Sequence, residues 1–234
     1  MVKERTFRRI VVNVVIAALV ASVAVTGIVL NNRAVSVNQP APLYRGTSET
    51  KVSLMINVYW GTEYIEPMLE ILERKGVKTT FFVGGMWVAE NDALLKKIHD
   101  AGHEIGNHGY YHKDSKKLSD ERCAQEISVT HKLVSEVIGV EMNLFAPPSG
   151  SYGSSTVDVA EKLGYRTILW SLDTIDWRDK DSELIYSRAT KKIKGGDLVL
   201  MHPTEMTVKA LERIIDTINS KGLTVSTVSE VLGD

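Results

Sequence analysis

Three of the chain's six histidines fall within ten residues, in Gly102-His-Glu-Ile-Gly-Asn-His-Gly-Tyr-Tyr-His112. His108 and His112 stand four apart, a spacing that on a helical turn puts both imidazoles on one face, able to grip one divalent metal ion. Further along, Asp173-Thr-Ile-Asp176-Trp177 offers two carboxylates beside an indole, and Leu200-Met-His202 ends an apolar run on an imidazole. A histidine next to a carboxylate can work as a proton donor, because the neighbouring negative charge favours imidazolium. Each of these residues alone has an ordinary structural reading: a loop cap, a core indole, a strand-end histidine. Together they need a fold that brings distant loops to one place.

The pattern from residue 51 onward supplies such a fold. Short β-rich runs at Val52–Ile56, Lys78–Val83, His103–Ile105, Asn143–Phe145, Arg166–Trp170, Asp197–His202 and Thr224–Val225 alternate with helical stretches. The helices are expected over Glu63–Lys75, Asp92–Ala101, a long run opened by Ser119 as N-cap, Thr156–Leu163, Glu183–Lys194 and Thr207–Lys221. Glycines follow most of them as stop signals. Repeated βα units argue for a parallel sheet or barrel wrapped in helices, an α/β class, as one domain over 51–234. In such folds reactive residues gather where strands end. The loops at 57–61, 108–112, 147–153 and 173–177, together with His202, all fall there.

With 234 residues, 44% apolar and 24% charged, the chain suits one globular domain plus a tail. Its net charge of -1 gives no electrostatic case for nucleic acid. Residues 1–9 hold Lys3, Arg5, Arg8 and Arg9 against Glu4 and read as a cytoplasmic basic tip. Ile10–Leu30 follows as an apolar stretch long enough to span a bilayer, so a transmembrane anchor is expected, N-terminus inside and the domain extracytoplasmic. A small-x-small site at Ser22-Val-Ala24 leaves open a cleaved signal and a secreted protein. Residues 31–50, polar with Pro40 and Pro42, read as a linker. Cys123 stands alone on an expected helix and reads as a packing residue.

The motifs, in this order, resemble the polysaccharide deacetylase family, carbohydrate esterase family four, over residues 51–232. Gly102–His112 matches its second motif, Asp173–Trp177 its fourth and Leu200–His202 its fifth; Trp60-Gly61 is similar to a membrane-anchored, sporulation-linked branch. The resemblance implies a distorted (β/α) barrel and metal-dependent removal of acetyl groups from N-acetylated polysaccharide, such as peptidoglycan or a chitin-like oligomer. It makes His108 and His112 ligands of a divalent metal, zinc or else cobalt or manganese. His202 becomes the acid that protonates the leaving amine, and Asp176 its partner. Trp177, Leu200, Pro148 and Tyr152 become substrate contacts, and His103 a structural residue.

Two motifs depart from the family. In Leu54-Met-Ile-Asn57-Val58, Asn57 stands where the catalytic base is an aspartate, and Val58 where a second aspartate binds metal. In Ala146-Pro-Pro-Ser-Gly150, Ala146 replaces the arginine that would pair with the base. An amide accepts no proton at neutral pH, so the loss of base and arginine together is chemically coherent. Glu63 or Asp114 would have to stand in. Two functions compete: a cell-wall deacetylase, and an inactive descendant binding glycan or a partner through the same groove.

Overall fold

A computed structural model describes residues 40–233. The basic tip and the apolar stretch at 10–30 lie outside the described residues, and no described helix is long and apolar enough to cross a membrane.

The strands are β1 Lys51–Val58, β2 Thr80–Val83, β3 Glu104–Asn107, β4 Leu144–Phe145, β5 Arg166–Thr167, β6 Leu172–Asp173, β7 Leu198–Met201 and β8 Thr224–Val225. They pair in parallel in the order β5-β4-β3-β2-β1-β7-β6, with β8 added at the start of β1. No pairing among the described residues joins β5 to β6, so the sheet curls into a barrel that stays open on one side. Outside it lie α1 Ile65–Arg74, α2 Gly85–Glu90, α3 Asp92–Asp100, α4 Asp120–Ile138, α5 Ser154–Lys162, α6 Ser182–Thr190 and α7 Glu205–Ser220, with α8 Val228–Leu232 ending the chain.

The period of two along a strand decides which residues see the interior. In β1, Val52, Leu54, Ile56 and Val58 join the large apolar cluster beneath the helices, while Met55 belongs to a smaller one with Phe82, Leu144 and Ala146. Asn57 therefore shares the inner side with Met55. Val58 is fully buried in the outer core and has nothing to give to the inner side. Reading it as a lost metal ligand accounts for its chemistry; parity accounts for why valine is comfortable there.

Caps appear where expected. The Ser119 hydroxyl accepts the Arg122 N–H at the start of α4, and Gly139 closes that helix with φ 70°. Asp181 and Thr204 cap α6 and α7 in the same way. The stretch read as linker differs from expectation from residue 40 on. The Leu43 N–H donates to Thr167 O at 2.8 Å, and Leu43 O accepts from Leu169 N at 2.8 Å. Arg45 reaches the fully buried Asp197 at 2.5 Å. Residues 40–50 therefore lie on the domain, held by backbone pairing and one ion pair.

Candidate functional site

His108 follows β3 directly and His112 sits four residues on, but no helix joins them. The chain turns at Gly109 (φ 73°), and His112 takes left-handed backbone (φ 54°). That turn brings the two rings to a centroid distance of 5.1 Å, tilted by 70°. The shared face expected of a helical turn is made by a strained loop instead.

Two buried side chains hold this loop. Asn107 Oδ1 accepts the Gly109 N–H at 2.9 Å, while its amide donates to Ile127 O at 2.8 Å. Glu126, only 7% exposed, accepts the N–H groups of Tyr110 (2.8 Å) and Tyr111 (2.7 Å) through one carboxylate oxygen. Neither residue stood out in the sequence, because each reads as an ordinary member of its strand or helix.

His108 lies 2.7 Å from the carbonyl of Ala146 through Nδ1, which as donor leaves Nε2 with a free lone pair. Burial, then the neighbouring His112, pushes its pKa down to about 3. His112, beside the Tyr59 ring at 4.8 Å, is also lowered, first by burial. Both rings are neutral near pH 7, the form that ligates metals. His103 is a different case: its Nδ1 accepts the Thr79 N–H at 3.2 Å, and burial lowers it to about 4. It holds β2 and β3 together away from the rim.

On the opposite wall Asp176 has a fully buried side chain and binds His202 twice, through Nδ1 at 2.8 Å and the backbone N–H at 2.6 Å. The Thr207 hydroxyl donates to the same carboxylate at 2.6 Å. Trp60 stacks on the His202 ring at 5.6 Å and 7°. Gly61 holds left-handed backbone (φ 75°), and a Cβ there would collide with the carbonyl of Pro203, so the loop lies close against that strand end.

These groups surround one cavity of about 340 Å³, lined by Asn57, His108, His112, Trp177, Leu200 and His202, among others. The structure thus brings together seven of the nine residues singled out, Asp176 entering through its bond to His202. Pro148 and Tyr152 are not in the lining. Pro148 is buried beside Gly109, and the Tyr152 hydroxyl meets that of Tyr44 at 2.8 Å. Ser149, Trp170 and Asp173 line the cavity instead. Asp114 is occupied by Ser151 at 2.5 Å and Lys117 at 3.0 Å, and Glu63 lines a neighbouring cavity, so neither carboxylate replaces Asn57.

A resident metal does not fit this donor set. Two neutral imidazoles are available, yet no group of three His, Cys, Asp or Glu among the described residues is placed to hold an ion. Catalytic zinc ordinarily has three protein ligands. Asn57 is 4% exposed, and its Oδ1 is buried with no hydrogen-bond partner. That amide marks the base position, while the ligand position is Val58, which packs in the outer core and offers no donor.

The depressed histidines carry a stability prediction. The unfolded chain takes up their protons near pH 6.5 while the folded chain refuses them until about 4 (His103) or 3 (His108). Their contribution is thus complete above pH 6.5 and lost as pH falls toward those values. The urea midpoint is expected to drop between pH 6.5 and about 5, above the ordinary carboxylate range, and His103→Gln to shrink that slope. A midpoint flat over this window in both proteins would contradict the burial argument.

An open parallel α/β barrel with a histidine-lined cavity at its strand ends defines a hydrolase-type scaffold whose first loop has lost its carboxylates. A polysaccharide deacetylase family model matches residues 44–168, and the chain belongs to that family. It is 42% identical over 197 residues to the Bacillus subtilis protein YlxY, covering 84% of this chain and 62% of that protein's length. It is 34% identical over 175 residues to a peptidoglycan-N-acetylglucosamine deacetylase of Bacillus cereus, covering 72% of this chain and 82% of that one. Among solved structures, a CE4 family pseudoenzyme from Bacillus anthracis matches with TM-score 0.80 and 40% identity, covering 82% of this chain and 69% of that one. A mutant of that pseudoenzyme with restored enzymatic activity matches at 39% identity and TM-score 0.80, covering 82% and 71%.

Proposed function

We infer that this domain is directed at N-acetylated cell-wall glycan, outside the membrane, and that its groove receives the sugar while its hydrolytic step stands silent. The observation that carries this reading is Asn57, a buried amide with an unpartnered Oδ1 at the position where deacetylation needs a proton acceptor. General-base catalysis contributes about 10²–10⁴-fold, and an amide forfeits it. With Val58 and Ala146 in apolar clusters, the first and third loops supply no substitute. Trp177, Leu200 and Trp60 remain as walls for a sugar and its acetyl group. The Bacillus cereus relative is named for deacetylating peptidoglycan N-acetylglucosamine, which supports the ligand class; the Bacillus anthracis pseudoenzyme supports silence. Placement outside the membrane rests on residues 1–30 alone.

A second reading, slow hydrolysis, is favoured by the Asp176–His202 pair. A groove that only binds has no need of an imidazole whose Nδ1 is so firmly held, with Nε2 left free for a leaving amine. Tryptophan fluorescence titrated with N-acetylglucosamine oligomers, beside an acetate assay with added zinc or cobalt, separates the two. Saturable binding without acetate is the expected result, with Trp177→Ala weakening binding about tenfold. Acetate release that His108→Ala and His202→Ala both abolish would establish the slow hydrolase instead.

A further inference from the structure

We propose that a cavity between Tyr110–Tyr111 and α4 binds a free α-amino acid, its ammonium on Glu126 and its carboxylate on Arg122. The cavity, about 240 Å³, shares no lining residue with the groove, and the site is independent of the groove's ligand. The two tyrosines form one wall; Arg122, Gln125, Glu126 and Val129 form the other. These four are spaced by three and four along α4, so they make one face of the helix. The volume falls below the roughly 300–1,000 Å³ of drug-sized sites, which limits the ligand to a small molecule.

Two opposite charges face this space without neutralising each other. Glu126, only 7% exposed, gives Oε2 to the Tyr110 and Tyr111 N–H groups at 2.8 and 2.7 Å. Its Oε1 accepts no hydrogen bond from any described residue and is not sealed in, so it opens into the cavity. Arg122 stands four residues earlier, a spacing at which arginine and glutamate ordinarily pair. Here the guanidinium is drawn instead to Gln125 Oε1 at 2.7 Å, and it meets no carboxylate among the described residues. Most of its five N–H donors are left for a ligand. A carboxylate oxygen in such a recess lacks full hydration, and a cation that meets it offsets the loss.

The pair of charges selects a zwitterion. A lone anion would be repelled by Glu126 and a lone cation by Arg122, a single carboxylate is a poor cage for a divalent ion, and an uncharged sugar engages neither charge. An α-amino acid carries both charges on one carbon, and at this spacing the Cβ atoms of Arg122 and Glu126 lie about 5–6 Å apart. The tyrosine rings meet edge to face, 4.7 Å apart at 80°. Tyr110 is fixed against α2, where a Cβ on Gly85 would collide with its ring, so this wall is preformed and lowers the ordering cost of binding. Tyr111 and Val129 are about half exposed, and an apolar side chain on the ligand gains cover from both.

The test is calorimetric titration of the full chain with alanine, leucine and phenylalanine. Each is run beside the amine that lacks its carboxylate and the acid that lacks its ammonium; for leucine these are 3-methylbutylamine and 4-methylpentanoate. At least one amino acid is expected to bind, about 10–100-fold more tightly than either single-charge control. Glu126→Gln keeps an acceptor for the loop but turns a donor toward the cavity, and Arg122→Gln removes the opposite charge at an exposed position. Each is expected to weaken binding by a similar factor, and the second carries the test if the first fails to fold. Binding of none of the three, a control that binds as tightly as its amino acid, or undiminished binding in either folded variant overturns the site.

Discussion

Asn57→Asp/Ala146→Arg is expected to release acetate from N-acetylglucosamine oligomers, zinc added, at about 10²–10⁴ times the parent's rate. The first substitution changes almost no volume. It places a carboxylate on the inner side of β1, 4% exposed, where Oδ1 now lacks a partner. Made alone, it buries a charge without a counter-ion, which raises the carboxyl pKa and blunts a base. The second substitution supplies that counter-ion. Ala146 is fully buried among Met55, Phe82 and Ile168, so an arginine there disturbs packing, and alone it costs about 3–5 kcal/mol as an unpaired buried charge. The pair together is expected to be more stable than Ala146→Arg, a coupling that a double-mutant cycle in urea measures directly. A folded double variant that neither couples nor releases acetate would mean that 57 and 146 do not face each other's chemistry.

Glu126→Ala is expected to destabilise the domain by about 2–5 kcal/mol, through loss of two charge-assisted hydrogen bonds and exposure of two unpaired N–H groups. The carboxylate's hydrogen-bond partners are the N–H groups of Tyr110 and Tyr111. Its removal therefore frees the loop that carries His112. The Tyr110 and Tyr111 amides, left without their acceptor, are expected to exchange hydrogen faster than the global loss of stability accounts for. Glu126→Gln keeps an acceptor and is expected to restore most of the stability. Urea unfolding and amide hydrogen exchange read the two effects. If glutamine is as damaging as alanine, charge rather than hydrogen bonding holds the loop, and if neither matters, Asn107 alone suffices.

Much of this arrangement was legible in the residues, because strands and their loops have strong local signatures. β1, β2, β3 and β7 lie where the apolar runs placed them, and four of the rim loops converge with His202 as parallel βα order requires. What was not legible lacks a local signature. α2, around Trp87, and α8 are five or six residues long, too short for a helical period to register, and β6 is two. His108 and His112 mimic a helical pair, yet Gly109 and the left-handed His112 turn the chain instead. Glu126 looks like a solvent-facing helix residue until the loop is folded over it. The resemblance makes Tyr152 a substrate contact, whereas its hydroxyl is engaged by Tyr44, across more than a hundred residues of chain.

The segment that runs from Leu43 to Arg45 closes part of the seam that the sheet leaves open, bridging to Ile168 near β5 and to Asp197 before β7. It covers backbone groups that would otherwise be free to pair with a strand of another molecule. A chain trimmed to Lys51, where the first long strand begins, would expose that edge and take Arg45 from the buried Asp197 carboxylate, leaving it the Ser171 hydroxyl and the Lys194 N–H. Its failure would then be one of self-association, worsening with protein concentration, and a version of the domain shortened at its N-terminus has to begin before Leu43.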